Sequence, residues 1–290
     1  MEWIGIIAAL GSALSWAFAT VVFDRLGKLI PATGMTFFKG LFSLVLMLIL
    51  IYCTGGFDSL NLHDFFFLAL SGIIGVSIGD TLFFRSLQDL GAKVQVLYFM
   101  LGQIVTMLLS FLLLGEVLNI EEYIGATILL CGVIVVTVGK QEDRPNKTRG
   151  ILGGFASILC FSISSIMVKV SIDDVGVPTA TFWRMFFSTL SIMFIGFTSK
   201  RFITWYKPLK QVKTLLLFLL NVAVITYGGF LLSMLALKHI SVSLSSVLTA
   251  TEPVFVILLA YVINHERIAK KEFLGAVITI SGLLMIILNE

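Results

Sequence analysis

Two stretches of this chain are written twice. Thr36-Phe37-Phe38-Lys39 returns 145 residues later as Thr181-Phe182-Trp183-Arg184. Glu116 with Glu122-Tyr123-Ile124-Gly125-Ala126 returns 150 residues later as Glu266 with Glu272-Phe273-Leu274-Gly275-Ala276. A doubled plan of this kind excludes two independent domains, because each copy must bury its faces against the other. An odd number of membrane crossings per copy sets the second copy upside down relative to the first.

The apolar content says that the crossings exist. Of 290 residues, 58% are hydrophobic and 13% charged, and the mean hydropathy is +1.03. The apolar residues fall in runs long enough to cross a hydrocarbon core of ~30 Å as helices, where the backbone must bond to itself. Ten spans are predicted, at 3–23, 35–53, 65–86, 92–114, 122–139, 150–170, 179–198, 213–236, 243–264 and 272–288. The expected fold is an all-α membrane protein of two inverted five-helix repeats. The copies occupy 1–139 and 150–290, joined by a polar linker at 140–149. The first span reads as a retained helix, since no basic segment precedes it and it recurs as span six.

The basic residues are unevenly placed. If the N-terminus lies on one side, the loops of the opposite side carry sixteen Lys and Arg, from Arg25 and Lys28 to Lys270 and Lys271. The N-terminal side carries only Lys169 and Lys238. The positive-inside rule makes the rich side cytoplasmic and places both termini outside. The copies carry the bias in opposite senses. The linker 55–64 has no Lys or Arg, whereas its counterpart 199–211 is strongly basic. The second copy is five residues longer there. A net charge of +3 gives no reason to expect a nucleic-acid partner. Cys53, Cys131 and Cys160 show no metal or disulfide spacing and read as small apolar residues.

Ionisable residues inside spans cost ~2.5–3.5 kcal/mol each on insertion scales, so they mark candidate sites. Lys39 stands about five residues into span two, where it either snorkels to the interface or serves a site. Arg184 holds the matching position of the second copy. Asp80 lies at a depth near that of Lys39, so the two form either a structural ion pair or a proton site. Glu252, in Thr251-Glu252-Pro253, is the deepest charge, and Pro253 interrupts its helix. Gly102-Gln103 stands at that place in the first copy. Trp16, Tyr98, Trp183 and Tyr227 are candidate cavity aromatics, each with packing as the ordinary alternative. Glu116 and Glu266 read as caps that orient the turn into the following helix. Glycines at 72, 75, 79, 228 and 229 read as close-packing positions.

The doubled order, the Glu-Pro of span nine, the glutamates closing spans four and nine, and the Glu-x-x-Gly-Ala openings of spans five and ten resemble the EamA domain. That is the ten-helix branch of the drug/metabolite transporter superfamily. Gln103 in place of proline and His265 in place of glycine depart from strict symmetry between the copies. The resemblance implies an inner-membrane secondary carrier of amino acids or other small metabolites, often an exporter, with a cavity between the copies. On this reading Lys39 and Arg184 orient an anionic or zwitterionic solute, and Glu252 and Asp80 partner a proton or an amine. No cofactor is expected. An intramembrane enzyme is disfavoured. There is no His-Glu-x-x-His helix, and Ser77-Ile78-Gly79-Asp80 lacks the first glycine and the partner motif of an aspartyl protease. A channel or passive scaffold is the remaining alternative.

Overall fold

A computed structural model describes residues 2–117, 119–137, 146–199, 202–264 and 270–288. Lys140, Arg144, Lys200, Arg201, His265, Glu266 and Arg267 lie outside the described residues, as does most of the 140–149 linker. Among the described residues the chain is helical and has no strand. The helices are α1 (Glu2–Leu26), α2 (Ala32–Cys53), α3 (Leu62–Ser71), α4 (Asp80–Leu90), α5 (Ala92–Leu114), α6 (Ile120–Thr137) and α7 (Lys147–Ser171). They continue as α8 (Val177–Ser199), α9 (Phe202–Tyr206), α10 (Val212–Ala223), α11 (Leu232–His239), α12 (Val242–Thr249), α13 (Glu252–Asn264) and α14 (Lys270–Leu288). Six helical stretches are long and apolar enough to cross a membrane: α1, α2, Leu62–Leu90, α7, Val177–Thr198 and Val212–His239. The protein is a multi-pass membrane protein.

Three spans depart from plain helix. Spans three and eight run on to Leu90 and His239, and each contains a wider π-helical stretch, Gly72–Gly79 and Val224–Leu231. A π turn displaces carbonyls from their usual donors. At the edges of these stretches the other copy supplies donors. Ser164 Oγ donates to Ser71 O at 2.9 Å and Ser12 Oγ to Gly229 O at 2.9 Å. Span nine is divided into α12 and α13 at Ala250–Thr251. Pro253 has no N–H to offer the carbonyl of Thr249, so the ladder stops there.

Packing follows the rule for helices in lipid, where small residues bring backbones together. One face of α1 carries Gly5, Ala9, Ala13 and Ala17, four residues apart and all buried. The α6–α14 pair meets through Gly125 and Gly132 on one helix and Gly275, Thr279 and Gly282 on the other. The extra residues of the second copy fall in the segment that forms α9 and a short 3₁₀ turn, Lys207–Lys210. Trp205 of α9 is buried against Gly34.

The two copies make the same contacts with different chemistry. Gln88 Nε2 donates to Ile30 O at 3.0 Å, and at the matching place Lys238 Nζ donates to Val175 O at 2.8 Å. Ser77 Oγ meets Ser191 Oγ at 3.2 Å, and at the counterpart place Tyr227 OH donates to Leu46 O at 3.0 Å. The first helices of the copies meet α11 with opposite ends. Gly5, near the start of α1, packs on His239 and Ile240. Lys169, near the end of α7, donates to Leu237 O at 2.8 Å and Ile240 O at 3.2 Å. The start of α7 lies instead beside the end of α4, where Arg149 makes bonds of 2.8 and 2.6 Å to Asp89.

A Cβ at Gly132 would strike the backbone of α14, with Gly275 O at 2.8 Å. Gly132→Val is expected to destabilise the protein by about 1–3 kcal/mol, read as a lower unfolding midpoint in detergent. An unchanged midpoint would show that α6 and α14 part without strain.

Candidate functional site

α1, α5, α7, α11, α12 and the Gly72–Gly79 stretch surround a cavity of about 120 Å³ whose walls come from both copies. By this measure a water needs roughly 10–15 Å³, so the space holds on the order of ten waters or a small organic solute. Leu237 and Val242 line it and flank the turn packed on Gly5, so the cavity lies toward the end of the bundle where α1 begins. The opposite end is plugged by Phe23, Phe84 and Phe218, all fully buried. Phe23 stands 4.8 Å from Phe84 and 6.2 Å from Phe218 between ring centroids.

The walls are amphipathic. Trp16, Phe83, Phe161 and Phe230 supply aromatic surface, and Ser12, Thr106, Ser162, Ser245 and Thr249 supply hydroxyls. Trp16 and Phe230 meet edge to face at 5.3 Å. Gln103 reaches the cavity and accepts from Thr249 Oγ1 at 3.4 Å.

Arg184 is the charge of this cavity. Its Nε donates to Ser71 Oγ at 3.0 Å, Nη2 to Ser164 Oγ at 2.9 Å and Nη1 to Met234 Sδ at 3.1 Å. Gly72 and Gly75 make room for it. A Cβ at Gly72 would collide with the Arg184 backbone, and one at Gly75 with Ser164. Among the described residues no carboxylate lies within ion-pair distance of the guanidinium. Three of its five N–H groups are used, which leaves one donor on each terminal nitrogen.

Lys39 does not snorkel. It is fully buried and forms an ion pair with Asp80, also fully buried. The ammonium lies 4.5 Å from the Phe230 ring centroid and 5.5 Å from that of Phe84. The pair therefore sits behind the aromatic wall, outside the cavity lining among described residues, with Phe230 shared between them. Asp80 Oδ1 has no partner there. Glu252 opens α13 and is 3% exposed. Thr20 Oγ1 donates to its Oε1 at 3.3 Å, and its Oε2 has no partner among the described residues. It too lies off the cavity surface.

Of the candidate residues, Trp16, Gln103 and Arg184 are brought together at the cavity. Three aromatics pack elsewhere. Trp183 lies among Phe57, Phe65 and Phe187. Tyr98 stands against Phe155, and Tyr227 bonds Leu46. Glu116 caps a helix other than the one expected. Its carboxylate accepts from Val242 N at 3.1 Å and Ser243 N at 3.0 Å, and it also meets Ser110. It thus holds the start of α12, in the other copy, rather than the turn into α6. The first N–H groups of any helix need acceptors, but the sequence does not say that a distant glutamate provides them.

Removing one member of the buried pair leaves a bare charge, which costs about 3–5 kcal/mol. Asp80→Asn is expected to lower the unfolding midpoint sharply, and Lys39→Met/Asp80→Leu to recover most of the loss. Equal stability of single and double variants would show that water already reaches the pair.

The sequence model of the EamA-like transporter family matches residues 3–138 and 148–288. An "Uncharacterized transporter" of Archaeoglobus fulgidus is 22% identical over 284 residues, 98% of each chain. An "Uncharacterized transporter" of Synechocystis sp. is 24% identical over 237 residues, 78% of this chain and 66% of the relative. A solved structure titled "Crystal structure of protein" shares the fold, with a TM-score of 0.72 at 17% identity over 98% of this chain and 96% of that one. With both copies matched by the family's model, the chain belongs to the EamA-like transporter family.

Proposed function

We propose that this protein is a secondary carrier that moves a small anionic or zwitterionic solute, an amino acid or a similar metabolite, out across the cytoplasmic membrane by alternating access. The observation that carries this is the guanidinium of Arg184, without a carboxylate partner among the described residues, on a hydroxyl-lined cavity between the two copies. A fork of two free N–H groups suits a carboxylate. An anion about 4 Å away gains about 4 kcal/mol at an effective dielectric near 20. The cavity size limits the cargo to a handful of heavy atoms. Gln103 and Trp16 are read as cargo contacts, and Trp16 covers the apolar part.

In this reading the chain makes ten crossings in two oppositely oriented copies, with both termini outside. The Lys and Arg asymmetry supports the orientation, and the opposed ends of α1 and α7 at α11 support the inversion. Glu252 couples the cycle to protons, and Lys39 with Asp80 holds the closed end. Tyr98, Trp183 and Tyr227 are read as supports for the helices that move.

Arg184→Gln in proteoliposomes is expected to raise the half-saturation concentration for carboxylate solutes more than tenfold, by the loss of that interaction. Glu252→Gln is expected to leave a folded protein whose uptake no longer follows an imposed proton gradient. Both are measured as saturable counterflow across a panel of labelled amino and organic acids. Non-saturating flux with a steady conductance would replace the carrier with a channel.

A further inference from the structure

Six buried side chains have an oxygen without a partner among the described residues, and three of them are Asp80 (0% exposed), Gln95 (2%) and Glu252 (3%). Buried orphans of this kind are rare and costly in a low dielectric. The positions of these three are related. At the offset of 150 residues, Asp80 corresponds to Phe230, Gln95 to Ser245, and Glu252 to Gly102. All three counterparts line the open cavity. At the offset of 145, Lys39 corresponds to Arg184 and Thr20 to Ser165, which also line it. Lys39, Asp80, Gln95 and Glu252 are thus the repeat counterparts of residues that line the cavity.

We propose that Lys39, Asp80, Gln95 and Glu252 line a second chamber of the transport site. It is sealed in this conformation beneath Phe23, Phe84 and Phe218 and opens to the opposite face. Its unpaired carboxylate, Glu252, takes the positively charged end of a zwitterionic cargo whose anionic end is recognised by Arg184. The inference rests on the carrier reading. When the two copies exchange conformations, the face that now presents Arg184 closes and the face that holds Lys39 opens. Solvent then satisfies the three orphan oxygens. The two chambers differ in charge. Among the described residues the open one presents a single cation, Arg184. The other holds Lys39 matched by Asp80, with Glu252 left over, so once it is opened to solvent its excess charge is negative.

The test uses the full-length, cysteine-free protein in sealed membrane vesicles of both orientations. Ser245→Cys reports the open cavity, and Gln95→Cys reports the sealed chamber. Ser157→Cys is a second reporter, as the counterpart of the cavity residue Ser12, should Gln95→Cys fail to fold. Each is treated with cationic trimethylammonium-ethyl and anionic sulfonatoethyl methanethiosulfonate. Ser245→Cys is expected to react from the face where α1 begins and to favour the anionic reagent. Gln95→Cys and Ser157→Cys are expected to react from the other face. The cationic-to-anionic rate ratio at Gln95→Cys should fall about tenfold when Glu252→Gln is added. Unreactive Gln95→Cys and Ser157→Cys, or reaction from the same face as Ser245→Cys, would overturn the second chamber. Reaction from the opposite face with a ratio indifferent to Glu252→Gln would overturn its cation-binding role. Reaction of every cysteine from both faces would instead remove the carrier reading beneath it.

Discussion

A charge inside a lipid-embedded bundle must be met by an opposite charge, by hydrogen-bond dipoles or by solvent. The centre of this protein is arranged around two cations that meet this demand differently. Lys39 is matched by Asp80 and enclosed by Phe84 and Phe230. Arg184, its counterpart, has two hydroxyls and a thioether among the described residues. One substitution between the copies removes the counter-charge. Phe230 stands where the first copy has Asp80. A phenylalanine cannot neutralise Arg184, so the second cation keeps its charge and faces a cavity, whereas the first is shut in.

Elsewhere the copies have kept their contacts while changing their chemistry. A serine pair in one becomes a tyrosine on a carbonyl in the other, and a glutamine on a carbonyl becomes a lysine on a carbonyl. These contacts lie between helices and need only a donor and an acceptor at a given spacing. The central positions show no such equivalence. Gly102 corresponds to Glu252 in the repeat, and Lys39 to Arg184. Scaffold positions tolerate exchange of hydrogen-bonding groups, but central positions set the sign of the field that a solute meets.

That difference explains what the sequence revealed. Arg184, Lys39, Asp80 and Glu252 were legible because an ionisable residue in an apolar run has a cost that demands a reason. The pairing of Lys39 with Asp80 was legible from depth alone, but its complete burial was not. The cavity hydroxyls were invisible. A serine or threonine in a helix can satisfy itself on the preceding turn, as Thr106 does on Gly102 O and Thr249 on Ser245 O, so its presence says nothing about a cavity. Aromatics misled for a related reason. Trp16 lines the cavity while Trp183 packs among phenylalanines, and a ring suits either place. The break in α12–α13 was announced by Pro253. The π stretches had no signal beyond their glycines.

These irregular segments share a location. The Gly72–Gly79 stretch supplies Gly75 and Val76 to the cavity, the Val224–Leu231 stretch supplies Phe230, and the break after Thr249 adjoins it. Irregular backbone at membrane depth is tolerated only where protein or water satisfies it, so its confinement to the centre is required rather than incidental. It also sets where the bundle is able to change shape. A regular helix resists bending because every turn would lose a bond, whereas a π turn or a proline break has already lost one. The softest backbone in each copy therefore lies beside the charged residues.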